Sequence, residues 1–242
     1  MPGRITLSTD GAALGAAFPW LKVPLELQPR YNIVPTQPIA VVLNDGKNLV
    51  DFVSWGLIPS FTKVKMTTFL LNARAEGIER KPSFRSPFKR RRCLVLADGY
   101  YEWVKIPRKK EKIPYWVHLK TKKPFAFAGL WDTWNAIDGS EVKTCCFITC
   151  EPNALVAQIH HRMGVILHEK DYAAWLRPEE VDSKELLPLL QPFPPEDMAY
   201  YQVSTLVSNS RNDQPECIVP VEPTVIPQPK LEKKPKKPKV GE

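Results

Sequence analysis

Arg92-Cys93-Leu94-Val95-Leu96-Ala97-Asp98-Gly99-Tyr100-Tyr101-Glu102-Trp103-Val104 is the stretch whose reading decides the fold. Residues 92–97 and 100–104 are rich in branched and aromatic side chains, the composition of strands. Asp-Gly between such runs signals a hairpin, because glycine tolerates positive φ. The pattern recurs upstream, where residues 39–43 and 49–55 flank Asn44-Asp45-Gly46-Lys47. Residues 115–119, 125–130 and 144–149 read as further strands, and 198–207 as a late one. Asn153 is placed to cap a short helix running to about Ile159. Residues 170–176 and 183–190 space their apolar side chains as helices do. Strands at short intervals with few helices predict an α+β fold, a curled or barrel-like sheet with short peripheral helices.

The chain has 242 residues, enough for one large domain or two small ones. Its 25 prolines are about twice the ordinary share, so many short elements joined by tight loops are expected. From about residue 222 the composition shifts to Pro and Lys. Residues 230–242 hold six lysines against two glutamates, half of the net charge of +8. That predicts a folded unit over 1–221 and a disordered basic tail over 222–242. A basic body suits a polyanionic partner, although a moderately basic soluble protein would look the same.

The five cysteines are Cys93, Cys145, Cys146, Cys150 and Cys217. An odd number without a Cys-x-x-Cys pair argues against a zinc site or a disulfide framework, and for reduced thiols in the cytoplasm. No apolar run reaches the ~20 residues of a membrane span. The N-terminus lacks the basic and apolar regions of a secretory signal. A cytoplasmic monomer without metal or cofactor is the expectation.

Four separated stretches carry a further signal: Met1-Pro2-Gly3-Arg4, Leu71-Asn72-Ala73-Arg74-Ala75-Glu76, Asp98-Gly99-Tyr100-Tyr101-Glu102-Trp103 and Ile159-His160-His161-Arg162-Met163. Together they resemble the SRAP family, the SOS-response-associated peptidases or abasic-site processing proteins. The resemblance spans about residues 1–221 and implies a single α+β domain around a β pseudo-barrel. It also implies a partner, single-stranded DNA containing abasic sites. Family members normally begin Met-Cys-Gly-Arg. Met1 is removed, and the amine and thiol of the cysteine close a thiazolidine on the lesion's aldehyde. Here Pro2 stands in place of that cysteine. Proline offers a secondary amine and no thiol, so it can form an iminium and promote β-elimination but cannot close the ring. The alternatives are a catalytically impaired shield on single-stranded DNA, or a peptidase that processes only itself.

The other site residues follow from the same match. Glu102, a carboxylate among aromatics, should be desolvated, raised in pKa and suited to acid–base work. His160, the first of the His pair, would shuttle a proton. Asn72 would orient the sugar or the amine, so Pro2, Asn72, Glu102 and His160 form the expected catalytic set. Gly3 would let the terminus approach the sugar. Arg4, Arg74 and Arg162 would hold phosphates. Trp55 and Phe61, in Trp55-Gly56-Leu57-Ile58-Pro59-Ser60-Phe61, would stack on bases, although Trp55 equally fits a core position. Gly164 replaces a family proline, which implies a looser backbone there. The 208–217 motif reads as a structural loop. Lys89-Arg90-Arg91-Arg92 would face the phosphate backbone or simply be solvated.

Overall fold

The computed structural model describes residues 2–24, 26–63, 69–107, 110–136 and 138–224. The predicted tail therefore lies, from residue 225 onward, outside the described residues. Twelve strands are present among the described residues. They are β1 (Ile5–Leu7), β2 (Arg30–Ile33), β3 (Pro38–Leu43), β4 (Val50–Trp55), β5 (Asn72–Arg74), β6 (Arg92–Ala97), β7 (Gly99–Lys105), β8 (Lys112–Leu119), β9 (Phe125–Asn135), β10 (Glu141–Cys150), β11 (Met163–Gly164) and β12 (Met198–Gln202). Helices are short and peripheral: α1 (Gly11–Ala17), α2 (Arg85–Arg90), α3 (Tyr172–Trp175) and α4 (Ser183–Leu186).

The strands make two sheets. In the larger one, β10, β4, β3, β6 and β9 follow one another, and β9 pairs back onto β10, so the five strands close into a ring. Closure removes free sheet edges. Only the β10–β4 contact within the ring is parallel. The ring is filled by such side chains as Val41, Val53, Val95, Phe127 and Phe147, all essentially inaccessible. The second sheet runs β12-β8-β7-β1-β2 and covers a smaller cluster around Tyr101, Trp116, Val203, Val207 and Cys217. The α+β class and the β-rich barrel are as the sequence predicts.

The Asn44–Lys47 hairpin forms as expected, with Val42 opposite Val50 and Gly46 at φ +76°. The Asp98-Gly99 hairpin does not. β6 pairs with β3 and β9, whereas β7 pairs with β1 and β8, so the chain passes from one sheet to the other at Asp98. Gly99 is needed for space: a Cβ there would meet the Trp116 indole nitrogen at 2.2 Å. Buried Asp98 is the junction pin. It accepts from the Thr6 hydroxyl at 2.5 Å, the Ser8 hydroxyl at 2.8 Å, and the Thr9 amide and hydroxyl at 2.9 and 3.0 Å. Four charge-assisted bonds fix β1, and with it the amino terminus, against β7.

Asn153 caps its turn by accepting from the Val156 amide at 2.9 Å, but the helix is a single 3₁₀ turn, Val156–Gln158. The late strand stops at Gln202, and Thr205–Ser208 is 3₁₀. The 208–217 loop is structural, as read. Asp213 takes the amides of Tyr31 and Asn32, and the Asn32 side chain donates to the carbonyls of Val207, Asn209 and Asn212. Gly164 does not loosen the backbone. It is a strand residue opposite Thr149, and a Cβ there would lie 2.4 Å from the Phe127 ring.

The three arginines of the basic run at 89–92 are engaged by the fold. Arg90 pairs with Glu180 and Arg91 with buried Asp132. Arg92 is fully buried and donates to five carbonyls, those of Phe88, Lys89, Trp175, Arg177 and Glu179. Burial lowers its pKa to about 10, which leaves it cationic at neutral pH. It ties α2 to the segment after α3. Arg92→Leu should leave those carbonyls without a donor and cost roughly 3–5 kcal/mol. Thermal denaturation checks this, with the midpoint expected to fall by about 10 °C.

Candidate active site

The amino-terminal segment continues the β1 edge past Ile5, because the Tyr101 amide donates to the Arg4 carbonyl at 3.0 Å. This lays residues 2–4 antiparallel to β7 and carries Pro2 toward Glu102 and Trp103. Pro2 is buried. The Asn72 amide nitrogen lies 3.4 Å from the Pro2 carbonyl, and Asn72 sits on β5, which pairs with β10. The Asn72 Oδ1 is buried and has no hydrogen-bond partner among the described residues. An unsatisfied buried acceptor beside the chain terminus is a place for a ligand's donor.

Glu102 and His160 complete the cluster. Their side chains are 5% and 20% exposed, with His160 Nε2 3.8 Å from Glu102 Oε2. Burial raises the Glu102 carboxyl to about 7. Burial likewise lowers His160 to about 4. Near neutral pH the histidine is therefore uncharged and the carboxyl is poised between its two forms. His160 Nδ1 lies 3.0 Å from both the amide nitrogen and the carbonyl oxygen of Arg162, so that backbone holds the ring in either tautomer. The His161 ring stacks on it with centroids 4.4 Å apart. The structure thus brings Pro2, Asn72, Glu102 and His160 together.

The predicted DNA contacts divide. Arg74 is exposed, shares a strand face with Asn72 and forms no ion pair among the described residues. Gly3 has open space where a Cβ would be, so packing within the protein does not demand glycine there. Arg4 is spent largely on the protein. It donates to Asn32 Oδ1 and to the Val207 and Ser208 carbonyls, and lies 5.5 Å over the Trp103 ring. Arg162 does not offer a free fork. It is buried, bidentate to Glu76 at 2.7 and 2.9 Å, and bonded to the Thr149 carbonyl. Trp55 is also not a stacking platform. It is fully buried against Phe147, and its indole donates to the Leu71 carbonyl, which steadies the approach to β5. Phe61 is 64% exposed, on a loop tied through Ser60 and Thr62 to Asp132 and Trp134 of β9.

Trp103 is the residue the sequence reading left aside. It is half-buried, and its indole donates to Ser208 Oγ at 3.2 Å. It separates a cleft of about 470 Å³ beside Gly3 and Arg4 from one of about 500 Å³ beside His160 and His161. Its place directly after Glu102 was the available signal. A cavity of about 630 Å³, larger than either cleft, lies elsewhere, between β4, β9 and β10, and holds none of the four clustered side chains. All five cysteines are buried, and burial pushes every thiol pKa upward, Cys150 to about 12. None of them stands in for a thiol at position 2. No group of three or more His, Cys, Asp or Glu side chains is placed to hold a metal among the described residues. Nor is any described helix long and apolar enough to cross a membrane.

Comparison with known proteins gives the family. Abasic site processing protein YoqW of Bacillus subtilis is 44% identical over 80% of this chain and 87% of its own length. Abasic site processing protein HMCES of Rattus norvegicus is 31% identical over 88% of this chain and 71% of its own. A crystal structure of a protein from Bacteroides thetaiotaomicron superposes with a TM-score of 0.80 at 28% identity, covering 91% of this chain and 100% of that one. The family model of the SOS response associated peptidases, SRAP, matches residues 1–210, and the chain belongs to that family.

Proposed function

We propose that the protein processes abasic sites in single-stranded DNA through the amine of Pro2, exposed when Met1 is removed, and that it acts as a cytoplasmic monomer. The observation that carries this reading is the pair of buried Glu102 and half-buried His160 beside the Pro2 segment and Asn72. The names of the relatives supply the substrate class.

The neutral Pro2 nitrogen adds its lone pair to the C1′ aldehyde carbon of the ring-opened sugar. An α-amino group of pKa about 8 is partly neutral at physiological pH. The resulting carbinolamine must lose its oxygen. Glu102 in its acid form gives a proton to that oxygen, which leaves as water, and the C–N bond becomes an iminium. The iminium withdraws electrons from C2′. A proton passes from C2′ to the Glu102 carboxylate or to neutral His160. The electron pair shifts to C2′–C3′, and the 3′ phosphate departs with the C3′–O bond pair. Water then adds to the iminium and returns the free Pro2 amine. Asn72 Oδ1, the unsatisfied acceptor, takes the hydroxyl of the carbinolamine or sugar. Arg74 takes a flanking phosphate.

Sodium borohydride trapping on an abasic oligonucleotide, with mass mapping and a strand-cleavage assay, tests this. The expected result is an adduct at Pro2 and a cut strand. Protein confirmed to begin at Pro2 that yields neither would be a DNA-binding shield. Arg74→Ala should weaken binding and lower the slope of log affinity against log salt by about 0.7. An unchanged slope would remove Arg74 from the contact set.

A further inference from the structure

Two lysines near the tip of the β7–β8 hairpin are unexplained by the fold. Lys105 and Lys112 face each other as register partners across the two strands. Like charges directly opposite on an antiparallel pair repel. Neither lysine has a carboxylate within ion-pair distance among the described residues, and both are exposed. Glu111, beside Lys112, pairs with neither. A third exposed lysine, Lys110, adds to the same end. The arrangement costs stability on its own and so calls for an anion.

Its position says which anion. Lys112 lines both clefts that flank Trp103. Lys105 lines the cleft that reaches His160 and His161, and Lys110 the one that reaches Gly3 and Arg4. A cationic ridge therefore runs across the mouths of two clefts separated by one half-buried indole. A single nucleic-acid strand has this chemistry, with phosphates on a line and bases free to stack at the turn. We infer that Lys105 and Lys112 form a phosphate clamp gripping the strand where it crosses Trp103, next to the lesion. This rests on the function proposed above and adds contacts beyond Arg4, which is engaged largely within the protein, and Arg162, which is buried against Glu76.

The pair separates a binding role from a structural one, because the two predict opposite signs. Lys105→Glu places opposite charges across the strands. It should raise the melting temperature by ~1–3 °C. It should also weaken binding of a single-stranded oligonucleotide carrying a tetrahydrofuran abasic analogue, which has no aldehyde, by roughly 10-fold. The double variant Lys105→Ala/Lys112→Ala should reduce the magnitude of the salt slope by about 1.4, two strand contacts' worth. A slope equal to that of the unmodified protein overturns the clamp, as does affinity that tracks stability in the same direction. So does failure of the unmodified protein to bind the oligonucleotide. Borohydride trapping on true abasic DNA reports the other question. A lowered slope with no adduct in the unmodified protein keeps the clamp and removes the amine chemistry. An adduct with an unchanged slope does the reverse.

Discussion

Pro2→Cys should turn a protein that leaves no lasting mark on abasic DNA into one that stays attached through denaturation. The argument is chemical. An iminium from the Pro2 amine hydrolyses once the fold is lost, because nothing follows the C–N bond to trap the carbon. A cysteine at the same position offers a second nucleophile, a thiol separated from the amine by two carbons. The thiol adds to the same C1′, and closing a five-membered ring makes return to the aldehyde slow. The site asks little adjustment for this change. Residue 2 ends the chain once Met1 is removed, so no hydrogen bond within an element depends on proline there. Glu102 and Asn72 remain to give the proton and to hold the backbone. The native thiols do not confuse the result, since all five are buried with raised pKa values. Denaturing gels without reductant should show no adduct for the unmodified protein and a persistent one for the variant. A persistent adduct at the N-terminus of the unmodified protein would refute the amine mechanism.

The parts of this molecule that sequence makes legible are those whose signal is local. The Asn44–Lys47 turn closes a real hairpin, and its glycine does take positive φ. Asp98-Gly99 carries the same two letters and does something else. Its glycine makes room for Trp116, and its aspartate binds Thr6, Ser8 and Thr9 from the far end of the chain. A turn signal reports backbone freedom, and freedom is equally useful for close packing. The grouping of Pro2, Asn72, Glu102 and His160 was readable because four short motifs name it. The engagement of Arg4 and Arg162 within the protein was not, because their partners are remote. Arg162 meets Glu76, 86 residues away, and Arg4 meets the 207–208 carbonyls. Trp55 carries an aromatic signal that a core position and a stacking position share, and only burial separates them. The opposed lysines at 105 and 112 are visible only once the register of β7 on β8 is known.

Glu102→Gln should remove most of the chemistry and make the protein more stable. Burial holds the Glu102 carboxyl at about 7, above the ordinary 4.5 that the unfolded chain would show. The folded state therefore binds a proton that the unfolded state has already released between those values. The stability this group contributes is complete below about pH 4.5 and is lost as pH rises through about 7. At pH 8 the native protein carries a buried carboxylate, whereas the variant carries a neutral amide of similar shape. The variant should gain on the order of 1–3 kcal/mol at pH 8 and almost nothing at pH 5. Chemistry moves the other way. An amide cannot give the carbinolamine oxygen its proton, so single-turnover adduct formation should fall by roughly 10²–10⁴. Binding of the tetrahydrofuran oligonucleotide should change by no more than about twofold, since the carboxyl acts on the reacting atoms. In the native protein the acid form is depleted above pH 7, so trapping should slow from pH 7 to pH 9 once amine ionisation is accounted for. That slope should vanish in the variant. Denaturation midpoints at pH 5 and pH 8 together with trapping rates at both values make the measurement. A variant less stable than the parent at pH 8, or one that traps the lesion at the parent's rate, would show that Glu102 is a structural carboxylate and not the proton donor.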